Sequence, residues 1–185
     1  MDETPTLDFD DDGELVGVRV VGARAAGVAF DRVRLVDVEL VRCDLAGCDL
    51  SGASLHRVKL VDCRCGGVDF GAAVWHSVTA TDCRLEEANF RLARCMHVRI
   101  EASNLGRADL GGAQLEDVRF PDCDLRGADF SNARCTDVDL RTARLDDLRG
   151  VGSLRGATIG VDQLFGLAPG LAAAAGVRVL ADENS

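Results

Sequence analysis

Apolar residues recur at every fifth position over most of the chain. From Leu15 to Leu145, 27 consecutive positions at this spacing carry an apolar side chain, without an insertion. An amphipathic helix would place apolar residues every three to four positions and a half-buried strand every second position, so this period fits neither. It predicts a short structural unit that repeats along the chain.

A second series, two residues before the first, carries small side chains. It runs from Gly13 to Ala143 and contains only Gly, Ala, Val, Cys and Ser. In a solenoid each repeat buries its apolar face only against neighbouring repeats, which requires regular inward-facing positions. The two series therefore predict an interior of large and small side chains, and the other three positions of each repeat should face solvent.

All eight cysteines fall in these two series. Structural zinc needs four converging ligands, whereas these thiols simply replace Ala, Val or Leu in the repeat. We therefore predict buried, reduced cysteines and no metal site, even at the closely spaced Cys63 and Cys65. The small series contains Cys43, Cys48, Cys63, Cys83 and Cys123, and the large series contains Cys65, Cys95 and Cys135.

The repeating unit resembles the pentapeptide repeat, in which a small residue precedes Asp or Asn and then Leu or Phe. Residues 48–52 (CDLSG), 108–112 (ADLGG) and 128–132 (ADFSN) show the unit plainly. The resemblance covers residues 13–149 and implies the family's fold, an all-β solenoid called the right-handed quadrilateral β-helix, in which four repeats form one square coil. Coils stacked as parallel strands about 4.8 Å apart would give a rod about 32 Å long.

The period of five ends after Leu145, so we expect three parts. These are an acidic N-terminal tail at 1–12, the pentapeptide-repeat β-helix at 13–153 and a C-terminal segment at 154–185. In the last part we expect a short helix with Asp162 as its N-cap, a break at Pro169 and a strand over 177–180.

The C-terminal segment is expected to do two things. A cap must cover the open edge of a solenoid, but the segment holds more apolar residues than a cap requires. It also resembles the module through which MfpA-like pentapeptide proteins dimerise. We therefore expect a homodimer whose interface contains Leu164, Phe165, Leu167 and Leu171.

Composition and charge restrict the classes of function. The chain has 31 acidic and 21 basic residues and a net charge of −10, which argues against nucleic acid or an anionic membrane as a direct partner. No stretch reaches the roughly 18 apolar residues of a membrane span, and no signal peptide is recognisable, so we expect a cytoplasmic protein. Lys59 is the only lysine, a bias typical of a GC-rich bacterial genome.

Candidate chemistry is sparse, so we expect neither an enzyme nor a cofactor or small-molecule substrate. The sequence contains no glycine-rich phosphate loop, no HExxH and no G-x-S-x-G motif. His56, His76 and His97 should share one face, where three imidazoles could bind a metal. That face is flat and has no designated carboxylate, which favours solvated histidines.

Charge is unevenly distributed once residues 20 positions apart are assigned to one face. Three faces are near balance, whereas the face centred on Phe30 and every twentieth residue after it has five acids against Arg32, Arg91 and the terminal Arg149. Asp before the central residue of a repeat can hydrogen-bond the turn backbone, so these acids either shape the coils or bind a cationic partner. We call the set the acidic ridge; it comprises Asp31, Asp49, Asp69, Asn89, Asp109 and Asp129.

The resemblance also implies a function. The MfpA and Qnr proteins, which this chain resembles, mimic duplex DNA and bind DNA gyrase or topoisomerase IV, which they inhibit or protect from quinolones and other poisons, giving antibiotic resistance. A dimeric rod about 70 Å long would match roughly 20 base pairs at 3.4 Å each. The alternative is a structural or adaptor solenoid that binds another protein and has no topoisomerase role.

Overall fold

The chain winds into a parallel β-solenoid of about seven turns, followed by a single C-terminal helix. The computed structural model describes residue 7, residues 13–30 and residues 32–179. Leu15 pairs with Leu35 and Leu55 pairs with Trp75, so each residue lies beside the one 20 positions later. The repeating register expected from the period of five is therefore confirmed.

The strands lie on two adjacent faces of the square coil. The first face is centred on Leu15 and every twentieth residue after it, and the second on Val20 and its equivalents. One longer strand, Arg94–Glu101, continues through the corner and joins the two ladders. The strands are β1 (Glu14–Val16), β2 (Arg19–Val21), β3 (Arg34–Val36), β4 (Glu39–Val41), β5 (Ser54–His56), β6 (Lys59–Val61), β7 (Val74–His76), β8 (Thr79–Thr81), β9 (Arg94–Glu101), β10 (Gln114–Arg119), β11 (Arg134–Asp139) and β12 (Ala157–Thr158).

The other two faces are held by single bridges between successive coils. The third face is centred on Ala25 and its equivalents, and the fourth, centred on Phe30 and its equivalents, carries the acidic ridge. Bridges such as Asp44↔Arg64 on the third face and Asp49↔Asp69 on the fourth keep the same spacing of 20 residues. The chain makes sharp corners because the residue two positions after nearly every central residue has a positive φ.

Both apolar series point inward. Trp75 is fully buried and makes edge contacts with Phe70 and Phe90, whose rings stack on each other. All eight cysteines are buried and free, so their predicted interior position is confirmed. The interior is a continuous apolar column that runs from the first coil to the C-terminal helix.

The regular coils end where Gly150 stands in place of a large apolar residue. Its φ is +73°, and a Cβ there would lie 2.2 Å from the backbone nitrogen of Ser131, so only glycine fits against the coil beneath. A 3₁₀ turn follows at Val151–Ser153, and β12 then pairs with β11.

Helix α1 (Val161–Ala174) covers the last coil. Leu167 is 4% exposed and joins the core. Gln163 accepts a hydrogen bond from the Gly160 amide and donates to the Leu140 and Ala143 carbonyls. The helix is therefore fixed to the end of the solenoid by both apolar and polar contacts.

Three expectations for this segment were wrong. The N-cap is Gly160 rather than Asp162, which lies in the first turn of the helix. The helix also continues through Pro169 to Ala174 instead of breaking there. Residues 177–179 form no strand, and residue 180 lies outside the described residues. Packing on the last coil sustains the helix despite the amide that proline lacks.

Candidate partner-binding surface

The acidic ridge forms a straight column on the fourth face. Successive coils place its members side by side through a chain of single bridges, which ends at Arg149. Asp31 lies outside the described residues. The five ridge residues that the structure brings together in this column are Asp49, Asp69, Asn89, Asp109 and Asp129.

Every member of this column also shapes its own turn. One side-chain oxygen accepts a hydrogen bond from the backbone amide two residues later, at 2.7 Å from Gly71 to Asp69 and 2.8 Å from Gly111 to Asp109. Asp49, Asn89 and Asp129 make the same bond. The turn-shaping role considered from the sequence is therefore present, and in each aspartate the second carboxylate oxygen is not used by the turn.

Charge compensation differs between the two halves of the column. Arg91 lies 3.2 Å from Asp109, and Arg149 lies 3.6 Å from Asp129. The carboxylate of Asp69 accepts a 2.8 Å hydrogen bond from the Asn89 amide. Among the described residues, neither Asp49 nor Asp69 forms an ion pair, so the N-terminal half presents the less compensated charge.

Hydrogen bonds favour the charged form of two ridge aspartates, Asp49 and Asp129. Hydrogen bonds from Ser51 lower the pKa of Asp49, and hydrogen bonds from Ser131 lower the pKa of Asp129, where Arg149 and Arg91 contribute further. Charged carboxylates stacked at about 4.8 Å repel one another unless solvent or a cationic partner screens them. The column therefore presents a line of carboxylates that is interrupted in the middle by the neutral Asn89.

Ion pairs between successive coils are a feature that the sequence interpretation missed. Their signal is opposite charge at a spacing of 20 residues, which a count by face does not show. Because these arginines contact acids of the same chain, part of the positive charge of the other faces is compensated internally. Examples are Arg19–Glu39, Arg34–Glu14, Arg57–Asp37 and Arg107–Glu87.

The three histidines lie together on the first face, as expected. The ring centroids of His56 and His76 are 4.8 Å apart, and those of His76 and His97 are 5.7 Å apart. His97 Nδ1 lies 2.9 Å from a carboxylate oxygen of Asp117, and partial burial lowers the pKa of His56. No group of three or more His, Cys, Asp or Glu within the described ranges is arranged to hold a metal ion.

The four residues expected at a dimer interface do not share one surface. Leu164 and Phe165 are 45% and 79% exposed. Leu171 is partly buried against the core, and Leu167 is almost fully buried within its own chain. Leu167 is therefore removed from the candidate interface, because α1 turns it onto the last coil.

The class of protein follows from these features: a parallel β-solenoid built from five-residue repeats. The sequence matches the family described as "Pentapeptide repeats (8 copies)" over residues 14–52, 29–64 and 39–74, and that described as "Pentapeptide repeat region" over residues 73–149. The chain belongs to the pentapeptide repeat family, and the quadrilateral β-helix expected from the resemblance is confirmed. This solenoid is typically non-catalytic.

Comparison with solved structures supports this fold. A trypsin-treated form of QnrB1, a plasmid-mediated fluoroquinolone resistance protein, matches with a TM-score of 0.65 and 22% identity, over 90% of this chain and 83% of that chain. HetL, a pentapeptide repeat protein involved in heterocyst differentiation regulation in the cyanobacterium Nostoc sp. strain PCC 7120, gives a TM-score of 0.34 and 18% identity over 79% of this chain and 88% of HetL. Of these two structures, QnrB1 is the one whose TM-score supports a shared fold. A comparison with curated proteins gave no match.

None of the helices in the described part of the chain is long and apolar enough to cross a membrane.

Proposed function

We propose that this chain binds DNA gyrase or topoisomerase IV as a mimic of duplex DNA, and that it inhibits the enzyme or protects it from quinolones and other poisons. The column of charged carboxylates on the fourth face carries this proposal. A groove that binds phosphates would attract a rigid anionic rod through the same long-range electrostatics. The fold shared with QnrB1, a fluoroquinolone resistance protein, is consistent with a role in drug resistance.

The N-terminal half of the column is the part we assign to the groove. Asp49 and Asp69 pair in register, and the first lies exposed at the surface. Neither forms an ion pair with a described residue, whereas Asp109 and Asp129 each have an arginine nearby. A basic partner would therefore gain the most from the two uncompensated charges.

We further propose that the C-terminal segment, residues 154–185, acts as both cap and dimerisation element. Leu164 and Phe165 project from α1 although their neighbour Leu167 is buried. Exposed apolar side chains grouped on one helix are typical of a protein interface. A two-fold contact through α1 would join two solenoids end to end and double the length of the ridge.

A second candidate function is an adaptor solenoid that binds another protein. The observation that favours it is the turn hydrogen bond made by all five described ridge residues, since those bonds explain the Asp and Asn side chains without a partner. The ion pairs of Asp109 and Asp129 with arginines also favour the adaptor, because they compensate charge that a cationic partner would otherwise meet.

The test compares two double variants that each remove two charges. Asp49→Asn/Asp69→Asn keeps the oxygen that accepts the turn hydrogen bond, as Asn89 does in the same column. The matched control, Asp44→Asn/Asp124→Asn, changes the same repeat position on the third face, where both aspartates also accept a turn amide. Binding to purified gyrase and topoisomerase IV is measured at several salt concentrations, together with supercoiling or decatenation with and without a quinolone.

We expect the fourth-face variant to bind about tenfold more weakly, equivalent to about 1.4 kcal/mol, with a smaller dependence of affinity on salt. The third-face control should bind like the wild type. Equal affinity of both folded variants would remove the acidic ridge from the mechanism. Absence of any binding by the wild-type protein to either enzyme would favour the adaptor.

A further inference from the structure

Leu92 is exposed at a corner of the solenoid where a leucine contributes little to the fold. It follows the fourth face directly, and 64% of its surface is accessible, the largest fraction among the large apolar residues described between positions 13 and 149. A side chain so exposed adds almost nothing to the apolar interior. Exposure alone is ordinary for a single surface leucine, so the backbone and the neighbouring coils must show whether this position is special.

The backbone at this corner disfavours leucine. The φ of Leu92 is +59°, in the left-handed region that glycine and asparagine tolerate best. The equivalent corner position of the other coils also has a positive φ. Apart from Arg32 at the start, the residues there are smaller than leucine or adopt a positive φ more readily. They are Arg32, Gly52, Ala72, Gly112 and Asn132. Positive φ recurs at nearly every corner of this solenoid, but among the described non-glycine residues with positive φ, Leu92 is the one with a large apolar side chain.

The next coil leaves room for this side chain. A Cβ atom at Gly112 would lie 2.9 Å from Leu92 Cδ2, so the leucine rests on the space that this glycine leaves open. The neighbouring Arg91 side chain lies over Gly111, where a Cβ atom would be 2.9 Å from Arg91 Nη1. The same guanidinium forms an ion pair with Asp109. We call these four residues, Arg91, Leu92, Gly111 and Gly112, the Leu92 patch.

The Leu92 patch lies at the middle of the acidic ridge. Asn89 replaces aspartate in the same coil, which lowers the negative charge around the leucine, and Asp69 and Asp109 stand one coil to either side. An apolar side chain surrounded by charged groups is the usual arrangement at the energetic centre of a protein interface. The phosphates of duplex DNA have no counterpart of this leucine.

We propose that Leu92 is the apolar anchor of the fourth face and inserts into an apolar pocket within the basic groove of the protein partner. The inference rests on the proposed function and adds a specificity element to it. The carboxylates attract many phosphate-binding grooves, whereas Leu92 selects a groove that also has a pocket of suitable size. The side chain lies over Gly112, so one side of it is supported by the next coil and the rest is open to a partner.

The test is Leu92→Asn, with Ala72→Asn as the matched control in the same corner column one coil earlier, where φ is +54°. Both variants should melt at or above the wild-type temperature, because asparagine suits the left-handed corner. Only Leu92→Asn should weaken binding to gyrase or topoisomerase IV, by about tenfold, and Leu92→Met should retain wild-type affinity. The salt dependence of binding should be unchanged, unlike that of the Asp49→Asn/Asp69→Asn variant, because an apolar contact releases no ions.

Wild-type affinity of a folded Leu92→Asn variant would overturn this inference and leave the proposed function standing. An equal loss of affinity in Ala72→Asn would also overturn it, since the effect would then belong to the corner rather than to the leucine. Failure of the wild-type protein to bind either enzyme would overturn both the proposed function and this inference.

Discussion

Each cysteine of the solenoid is an interior residue whose thiol has little access to water. Cys48 and Cys123 approach carbonyl oxygens of the preceding coil, at 2.8 Å from Ala25 and 3.1 Å from Ile100. Burial raises the pKa of Cys95 to about 12 and the pKa values of Cys123 and Cys135 to about 11. These thiols are therefore protonated and unreactive in the native protein at neutral pH.

This burial predicts a loss of stability in alkali. In the unfolded chain a thiol has a pKa of about 8.5. Between pH 8.5 and the folded-state pKa values of about 11 to 12, the thiols are therefore ionised in the unfolded chain but protonated in the folded protein. The thiols' contribution to stability is complete below about pH 8.5 and is lost as the pH rises, by about 1–2 kcal/mol per thiol at pH 10. Urea unfolding at pH 7.5, 9 and 10 measures this loss of stability.

The control replaces three of these thiols by groups that do not ionise: Cys95→Val, Cys123→Ser and Cys135→Val. Serine already occupies position 103, the neighbour of Cys123 in the same column. The chain has no tyrosine and Lys59 as its only lysine, so the other side chains that ionise in this range are mainly the five remaining buried thiols. The triple variant should lose less stability than the wild type between pH 7.5 and 10; an equally steep loss would show that Cys95, Cys123 and Cys135 do not contribute to it.

The coils could be predicted from the sequence because each repeats one local arrangement. The spacing of five fixes which residues point inward, and Leu15 beside Leu35 then follows from four repeats per turn. The acidic ridge followed from the same counting. The exposed Leu92 and the ion pairs between coils were missed, since they depend on the φ of one corner and on side-chain reach rather than on the period.

The C-terminal helix could not be predicted in detail because contacts with another element determine it. Asp162 is a favourable N-cap residue by type, yet Gly160 holds that position and Gln163 makes the bonds at the helix start. The two carbonyls that Gln163 reaches, at Leu140 and Ala143, belong to the last coil. No local pattern around position 163 reveals them.

Replacing Gln163 should therefore loosen the cap. Gln163→Ala removes one accepted and two donated hydrogen bonds at the junction of helix and coil, and we expect it to lower the free energy of unfolding by about 1–3 kcal/mol. Asp162→Ala, one residue away, should cost less than 1 kcal/mol, since only a favourable interaction with the helix dipole is lost. Urea unfolding measures both. A larger loss of stability in Asp162→Ala than in Gln163→Ala would show that Asp162 caps the helix.

The two ends of the rod differ in what they expose. At the N-terminal end, Val18 and Val28 of the first coil are partly exposed although they belong to the inward-facing series, and Leu7 packs against the core there. At the C-terminal end α1 covers the last coil with Leu167 and leaves Leu164 and Phe165 exposed. The surplus of apolar surface on α1 makes that end the better candidate for self-association, with the fourth faces of two chains then extending away from a shared centre.

Self-association through α1 predicts that a charge on its exposed face will separate the chains. Phe165→Asp should give a particle of the 19.6 kDa chain mass, where the wild type should give twice that mass by light scattering after gel filtration. The helix should remain folded, because Leu167 and not Phe165 packs on the coil. Val16→Asp, an equivalent change at the opposite end of the rod, should stay dimeric. A Phe165→Asp protein that keeps the wild-type dimer mass would place the interface elsewhere. If the doubled ridge matters for the topoisomerase groove, the monomeric variant should also bind gyrase more weakly, because only half of the anionic column remains to engage it.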